Sequence, residues 1–262
     1  MTKTIYILNE DNWEKIFWEK NHNTCFLEKN NKIFFENRRS ELKEKIEIQL
    51  RVITLELNEQ LIQQAKKIYD EALKNAEELS GEPIETYPNS KEEIIGFVKS
   101  AMDWIEYDET IKKTIFQFLA KIFFKCLMHH KLINGNKRFS LSFLILMLRN
   151  FGYHFYWSKG SKKNYSKYTE DIKNFVEIFS GNSKNDQKNI DQIVKWIDDH
   201  VVISVDLTSD KLIKNLEYPS LIFEKSNLLS STKMIEESAD QAFWKSDELP
   251  EFKKVFKELA KQ

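Results

Sequence analysis

His130-Lys131-Leu132-Ile133-Asn134-Gly135-Asn136-Lys137-Arg138, followed by Phe139-Ser-Leu-Ser-Phe-Leu-Ile-Leu-Met-Leu148, joins two helical patterns through a short polar loop. Before it, Ile111, Ile115, Phe118, Leu119, Ile122, Cys126 and Leu127 recur at helical spacing, with Asp108 as the expected cap and His129 or His130 as the end. After it, Lys137 to Asn150 is apolar nearly all round, which predicts a buried helix at the centre of the fold, with Gly152 at its C′ position. The first turn of a helix leaves backbone N–H groups without acceptors, and its dipole favours an anion. Lys137 and Arg138 at that turn are unfavourable for the helix alone and make sense beside a phosphate. Gly135 lets backbone approach closely. An imidazole, which exchanges protons near neutral pH, is a plausible general base at His130. The bland alternative stays open at this point: a polar turn, with a histidine capping a helix end.

Working outward, Ile5–Leu8 reads as a strand and Asp11–Lys20 as a short helix. Ile46–Leu57 alternates like a strand but could equally extend the helix that follows. From Glu59 a helical stripe (Leu61, Ile62, Ala65, Ile68, Tyr69, Ala72, Leu73) runs until Gly81 and Pro83 stop it. Glu82–Asn89 is an extended connector, and Ser90 with Glu93 suggests a capping box for a helix over Lys91–Glu106. Downstream, Ser158–Ser166 reads as a solvated basic loop, Glu170–Phe179 and Ile190–His200 as helices, and Gly181–Asn189 as a loop. The aromatic run Phe151, Tyr153, Phe155, Tyr156, Trp157 reads as packing at the core's edge. Residues 206–262 are weakly patterned helix.

Composition sets the outer bounds. With 262 residues, 41% hydrophobic and 31% charged, the chain can bury a sizeable core and is not disordered. Only 6 Gly and 4 Pro suit a mostly helical chain. A net charge of -1 argues against a nucleic-acid or membrane-surface binder. Cys25 and Cys126 have no metal-ligand spacing and read as free thiols in a reducing cytoplasm. The opening MTKTIYILNEDNW has no apolar stretch of signal-peptide length, and Phe139–Leu148 is too short to span a bilayer.

The 130–138 segment resembles the Fic/Doc motif, H-x-F-x-D/E/N-G/A-N-G/K-R, and its Asn-Lys-Arg ending is closer to the Doc (death-on-curing) branch. The flanking C-L-M-H-H, F-L-I-L-M-L-R-N-F-G-Y and N-I-D-Q-I-V-K-W-I-D-D-H are similar to family counterparts, so the likeness covers roughly Glu59–Val201. It implies a mainly α Fic/Doc-like helical bundle: an extension over 1–57, the core over 58–205 with a short flap, and a helical extension over 206–262. It further implies a transferase, a growth-inhibiting toxin moving a phosphoryl or nucleotidyl group from ATP to a protein hydroxyl. His130 would be the general base. Asn134, Gly135, Asn136, Lys137 and Arg138 would bind the nucleotide phosphates, and Glu85, Thr86 and Tyr87 would form a target-binding flap. A protein substrate such as a translation factor and a neutralising antitoxin are the implied partners, and Mg²⁺ the implied metal. The alternative is an inactive Fic-fold module that binds nucleotide or protein.

The sequence departs from the motif at named positions. Leu132 stands for Phe, Lys137 for Gly, and Leu141 for the second Arg of the adenylylating enzymes. Asn134 stands where many members place an Asp or Glu that holds Mg²⁺, and a neutral amide binds a hard cation less well. In the Doc branch this pattern goes with phosphorylation, so phosphoryl transfer is favoured over adenylylation. His129 is adjacent, but the motif register selects His130; His22, His154 and His200 read as structural. Thr232-Lys-Met-Ile-Glu236 partly fits the inhibitory pattern of some Fic proteins, with Glu237 at the Gly/Asn position.

Overall fold

A computed structural model describes residues 2–8, 26–29, 32–36, 45–53, 57–108, 114–151, 153–155, 165–179, 186–203 and 248–261. The fold is mainly α. The described helices are α1 (Glu59–Ser80), α2 (Ser90–Tyr107), α3 (Ile115–His129), α4 (Asn136–Asn150), α5 (Tyr165–Phe179), α6 (Asp186–His200) and α7 (Glu248–Ala260). The strands are β1 (Thr2–Leu8), β2 (Phe26–Lys29), β3 (Lys32–Glu36), β4 (Lys45–Ile53), β5 (Tyr153–Phe155) and β6 (Val201–Ile203).

α1 begins where Asn58 accepts the N–H groups of Gln60 and Leu61, at 3.1 and 3.3 Å. It ends at Gly81, whose left-handed backbone (φ 77°) returns its N–H to Glu77. α4 is the centre. Phe139 and all residues from Leu141 to Leu148 are buried, and α1, α3, α5, α7 and β5 all pack against it. Two buried polar pairs, Asn75 Nδ2 to Ser142 Oγ (2.9 Å) and Asn150 Nδ2 to Gln64 Oε1 (3.1 Å), fix the register of α1 on α4. Phe151 and Tyr153 cap the core against Phe118 and Phe116, as their place in the aromatic run implied. β5 and β6 close that end as an antiparallel pair. α7 contributes Val255, Phe256 and Leu259 to the same core through contacts with α1 and α5. No helix among the described residues is long and apolar enough to cross a membrane.

Several expectations are corrected. The stretch from Ile46 resolves as strand β4, joined to β1 in parallel and to β3 antiparallel in a sheet ordered β1-β4-β3-β2. The β2–β3 pair was not anticipated. Asp108 ends α2 instead of opening α3, whose cap is Thr114, accepting Gln117 N–H at 3.2 Å. Ser90 and Glu93 form no capping box: Ser90 Oγ donates to Lys131 O, and Glu93 accepts from Asn89 Nδ2. α5 and α6 start earlier than expected, at Tyr165 and Asp186. The readings of Asp11–Lys20, Gly152, Cys25, His22 and Thr232–Glu237 lie outside the described residues.

Candidate functional site

α3 ends at His129, and His130 follows with φ 44° and ψ 60°, the one described non-glycine residue with positive φ. A left-handed backbone costs a residue with a Cβ about 1–2 kcal/mol, so its surroundings must hold it there. They do so through the loop. Ser90 Oγ donates to Lys131 O at 2.5 Å and accepts the Tyr87 N–H at 2.8 Å. Leu132 is buried, and its backbone is matched twice by one side chain: Asn136 Oδ1 accepts Leu132 N–H, and Asn136 Nδ2 donates to Leu132 O, both at 2.9 Å. The loop therefore closes on Asn136, and the His130 side chain is left exposed at its rim.

The connector 82–87 lies along this loop. Thr86 forms an antiparallel bridge with Leu132. Glu85 O accepts the N–H groups of Ile133 (3.0 Å) and Asn134 (3.4 Å), and Glu85 N–H donates to Asn134 Oδ1 at 3.0 Å. Glu85, Thr86 and Tyr87 remain exposed, as does Ile133. Thus two of the expected flap residues, Glu85 and Thr86, are brought to the His130 loop by backbone pairing, while Tyr87 is bonded to Ser90, whose hydroxyl reaches Lys131 O.

Gly135 precedes α4 with φ 72°, and a Cβ there would sit 2.7 Å from Ile84 Cγ1. Its glycine identity therefore serves two ends: the left-handed turn and room for the connector. Arg138 turns inward. It is 4% exposed, with Nη1 donating to Ser80 Oγ (2.7 Å) and Glu82 O (2.8 Å), and Nη2 to Pro83 O (3.2 Å). Burial holds its pKa below the usual value, opposed by the carboxylates of Glu82 and Glu77. Arg138 thus clamps the connector onto α4 with three of its five N–H groups, and its Nε is buried with no hydrogen-bond partner among the described residues.

What the loop offers an anion is the start of α4. The first intrahelical bond runs from Phe139 N–H to Gly135 O at 2.9 Å, and Gly135, at the N-cap, has no side chain to cap the helix. The N–H groups of the first turn and half-buried Lys137 lie there. Lys131 is paired with Glu93. His129 packs on Phe97, ring centres 5.3 Å apart. Its pKa is lowered by partial desolvation and by Lys125 and Lys131, against Asp186.

Mg²⁺ does not fit Asn134. The amide is neutral, and its oxygen already accepts the Glu85 N–H. Among the described residues, no group of three or more His, Cys, Asp or Glu is placed to share a metal.

Ser80 and Glu77 escaped the sequence reading, and Ser90 was read only as a helix cap. Glu77 Oε1 accepts the Ile84 N–H at 2.8 Å, so all three hold the connector. No local pattern marks that role, since their partners come from other elements. A scan of protein-family models and searches of curated proteins and of solved structures found no match to this chain.

Proposed function

We propose that this chain transfers a phosphoryl group, or alternatively a nucleotidyl group, from ATP to a hydroxyl side chain of another protein. The observation that carries the reading is the juxtaposition of an exposed His130, an uncapped α4 N-terminus with Lys137, and an exposed strand-like connector paired to the loop between them. In the reaction, the His130 imidazole takes the proton of the acceptor Ser, Thr or Tyr hydroxyl as its oxygen attacks the γ-phosphorus. The bond to the bridging oxygen breaks, and ADP leaves. Attack at the α-phosphorus would release pyrophosphate instead. Lys137 and the first-turn N–H groups stabilise the charge on the transferred group, the main source of acceleration in such chemistry. The connector aligns the target chain by main-chain pairing. By the family likeness, the setting is a cytoplasmic growth-inhibiting toxin with an antitoxin and a translation factor as target class.

Incubation with bacterial lysate and ATP labelled on either the α- or the γ-phosphate tests this. Label from γ alone, lost in His130→Ala, is expected. Label from α supports nucleotidyl transfer, and no label from either overturns the enzymatic reading. A second reading, a module that binds nucleotide or protein without chemistry, draws on the engaged Arg138 and Asn134 side chains. It expects calorimetric ATP binding with no label transfer.

A further inference from the structure

Two residues that sequence reasoning assigns to phosphate or metal, Asn134 and Arg138, both spend their side chains on the connector 82–87 and the end of α1 that leads into it. Arg138 holds its first half through Ser80 Oγ, Glu82 O and Pro83 O. Asn134 holds its second half through the Glu85 N–H. Between them, Ile84 fills the space that Gly135 leaves open, and its own N–H is taken by Glu77. We infer that Asn134 is a positioning residue that latches the connector to the His130 loop, so that the strand-like edge at Thr86 stands ready before any nucleotide or target arrives. The inference rests on the proposed transferase for its purpose, but the latch itself is a property of the free protein.

The chemistry of the position favours this assignment. The amide oxygen accepts one N–H at good distance, while the Asn134 backbone N–H returns to Glu85 O, so residue 134 meets Glu85 with both a donor and an acceptor. An aspartate there would keep the acceptor. An alanine would remove it and leave the backbone bonds in place. The latch is thus separable from the loop's own closure, which depends on Asn136.

Amide hydrogen exchange of the free protein tests it directly. In Asn134→Ala, exchange at the Glu85 N–H is expected to quicken by about tenfold, while Leu132 N–H, held by Asn136, keeps its protection. Asn134→Asp is expected to restore Glu85. Unchanged protection at Glu85 in Asn134→Ala overturns the latch. Transfer from γ-labelled ATP to lysate protein gives a second readout. At saturating ATP, Asn134→Ala is expected to lose on the order of tenfold in transfer, with the half-saturating ATP concentration held within about twofold, and Asn134→Asp to recover it. A rise in half-saturating ATP matching the loss of transfer makes Asn134 a nucleotide ligand and overturns the assignment. Wild-type protein that transfers no label counts against the transferase alone, and the exchange result then decides the latch.

Discussion

Gly135 carries two constraints that separate cleanly. Its φ of 72° disfavours any side chain, and a Cβ would press 2.7 Å from Ile84 Cγ1 and 3.0 Å from Arg138 Nη2. Gly135→Ala is expected to lower stability by about 2–3 kcal/mol, combining roughly 1 kcal/mol of backbone strain with overpacking. In the Ile84→Ala background the cost of Gly135→Ala should shrink by the overpacking part and keep the strain, as measured by urea denaturation. An unchanged cost of Gly135→Ala in that background would show that the contact does not limit the site. Arg138 makes a different argument. Arg138→Met keeps much of the buried stem but takes the cation away from Ser80 Oγ, Glu82 O and Pro83 O, of which Ser80 Oγ still accepts the Glu82 N–H. A loss of about 2 kcal/mol by urea denaturation is expected, in line with charge-assisted hydrogen bonds lost at one buried and two part-buried acceptors. The room that Gly135 leaves for a close approach was legible in the sequence, and the role of Arg138 was not. Arg138 meets partners 55 to 58 residues away, and a cation in the first turn of a helix looks the same whether it faces a phosphate or the protein's own carbonyls.

Elements differ in how openly the sequence declares them, and the difference follows from where their stabilising contacts lie. α1, α3 and α4 carry long apolar patterns with local stop signals such as Gly81, so their existence follows from the chain itself, as do the bounds of α1 and α4 and the end of α3, whose start does not. β2 and β3 are four and five residues long and depend on each other and on β4. The cap of α2 misled because Ser90 has a stronger commitment, to Tyr87 N–H and Lys131 O. The end of α3 shows the same competition electrostatically. A helix C-terminus ordinarily favours a protonated histidine, yet His129 is shifted the other way by partial desolvation and by Lys125 and Lys131. A basic group with a lowered folded-state pKa binds fewer protons folded than unfolded. Its contribution is therefore fully present above the ordinary value of 6.5 and is lost as pH falls through the lowered value. Stability measured by denaturant from pH 7.5 down to about 5 should decline with a slope that His129→Gln reduces. An identical slope in the variant would place the acid sensitivity elsewhere.

At the scale of the molecule, the loop is positioned by a core that draws on both ends of the described helical region. α4 carries the loop at its N-terminus and is held by α1, α3, α5 and α7 together. α7 lies more than a hundred residues beyond the loop in sequence, yet Val255 and Phe256 are fully buried among the same apolar side chains. A helix that shares one core with its neighbours should melt with them. Phe256→Ala is therefore expected to destabilise the whole helical unit by about 3–5 kcal/mol, the range for an aromatic ring removed from a packed core. The loss should appear at one common denaturant midpoint in far-ultraviolet circular dichroism, which reports the helices, and in tryptophan fluorescence. Trp104 on α2 and Trp196 on α6 are not on α7, so with the other four tryptophans (Trp13, Trp18, Trp157 and Trp244) changed to phenylalanine their signal reports its removal only through shared cooperativity. If helicity falls slightly while the fluorescence midpoint stays at the wild-type value, α7 unfolds on its own and the loop's support ends with α1, α3 and α5. If both midpoints move together, the geometry of His130 depends on a segment that no motif in the chain points to.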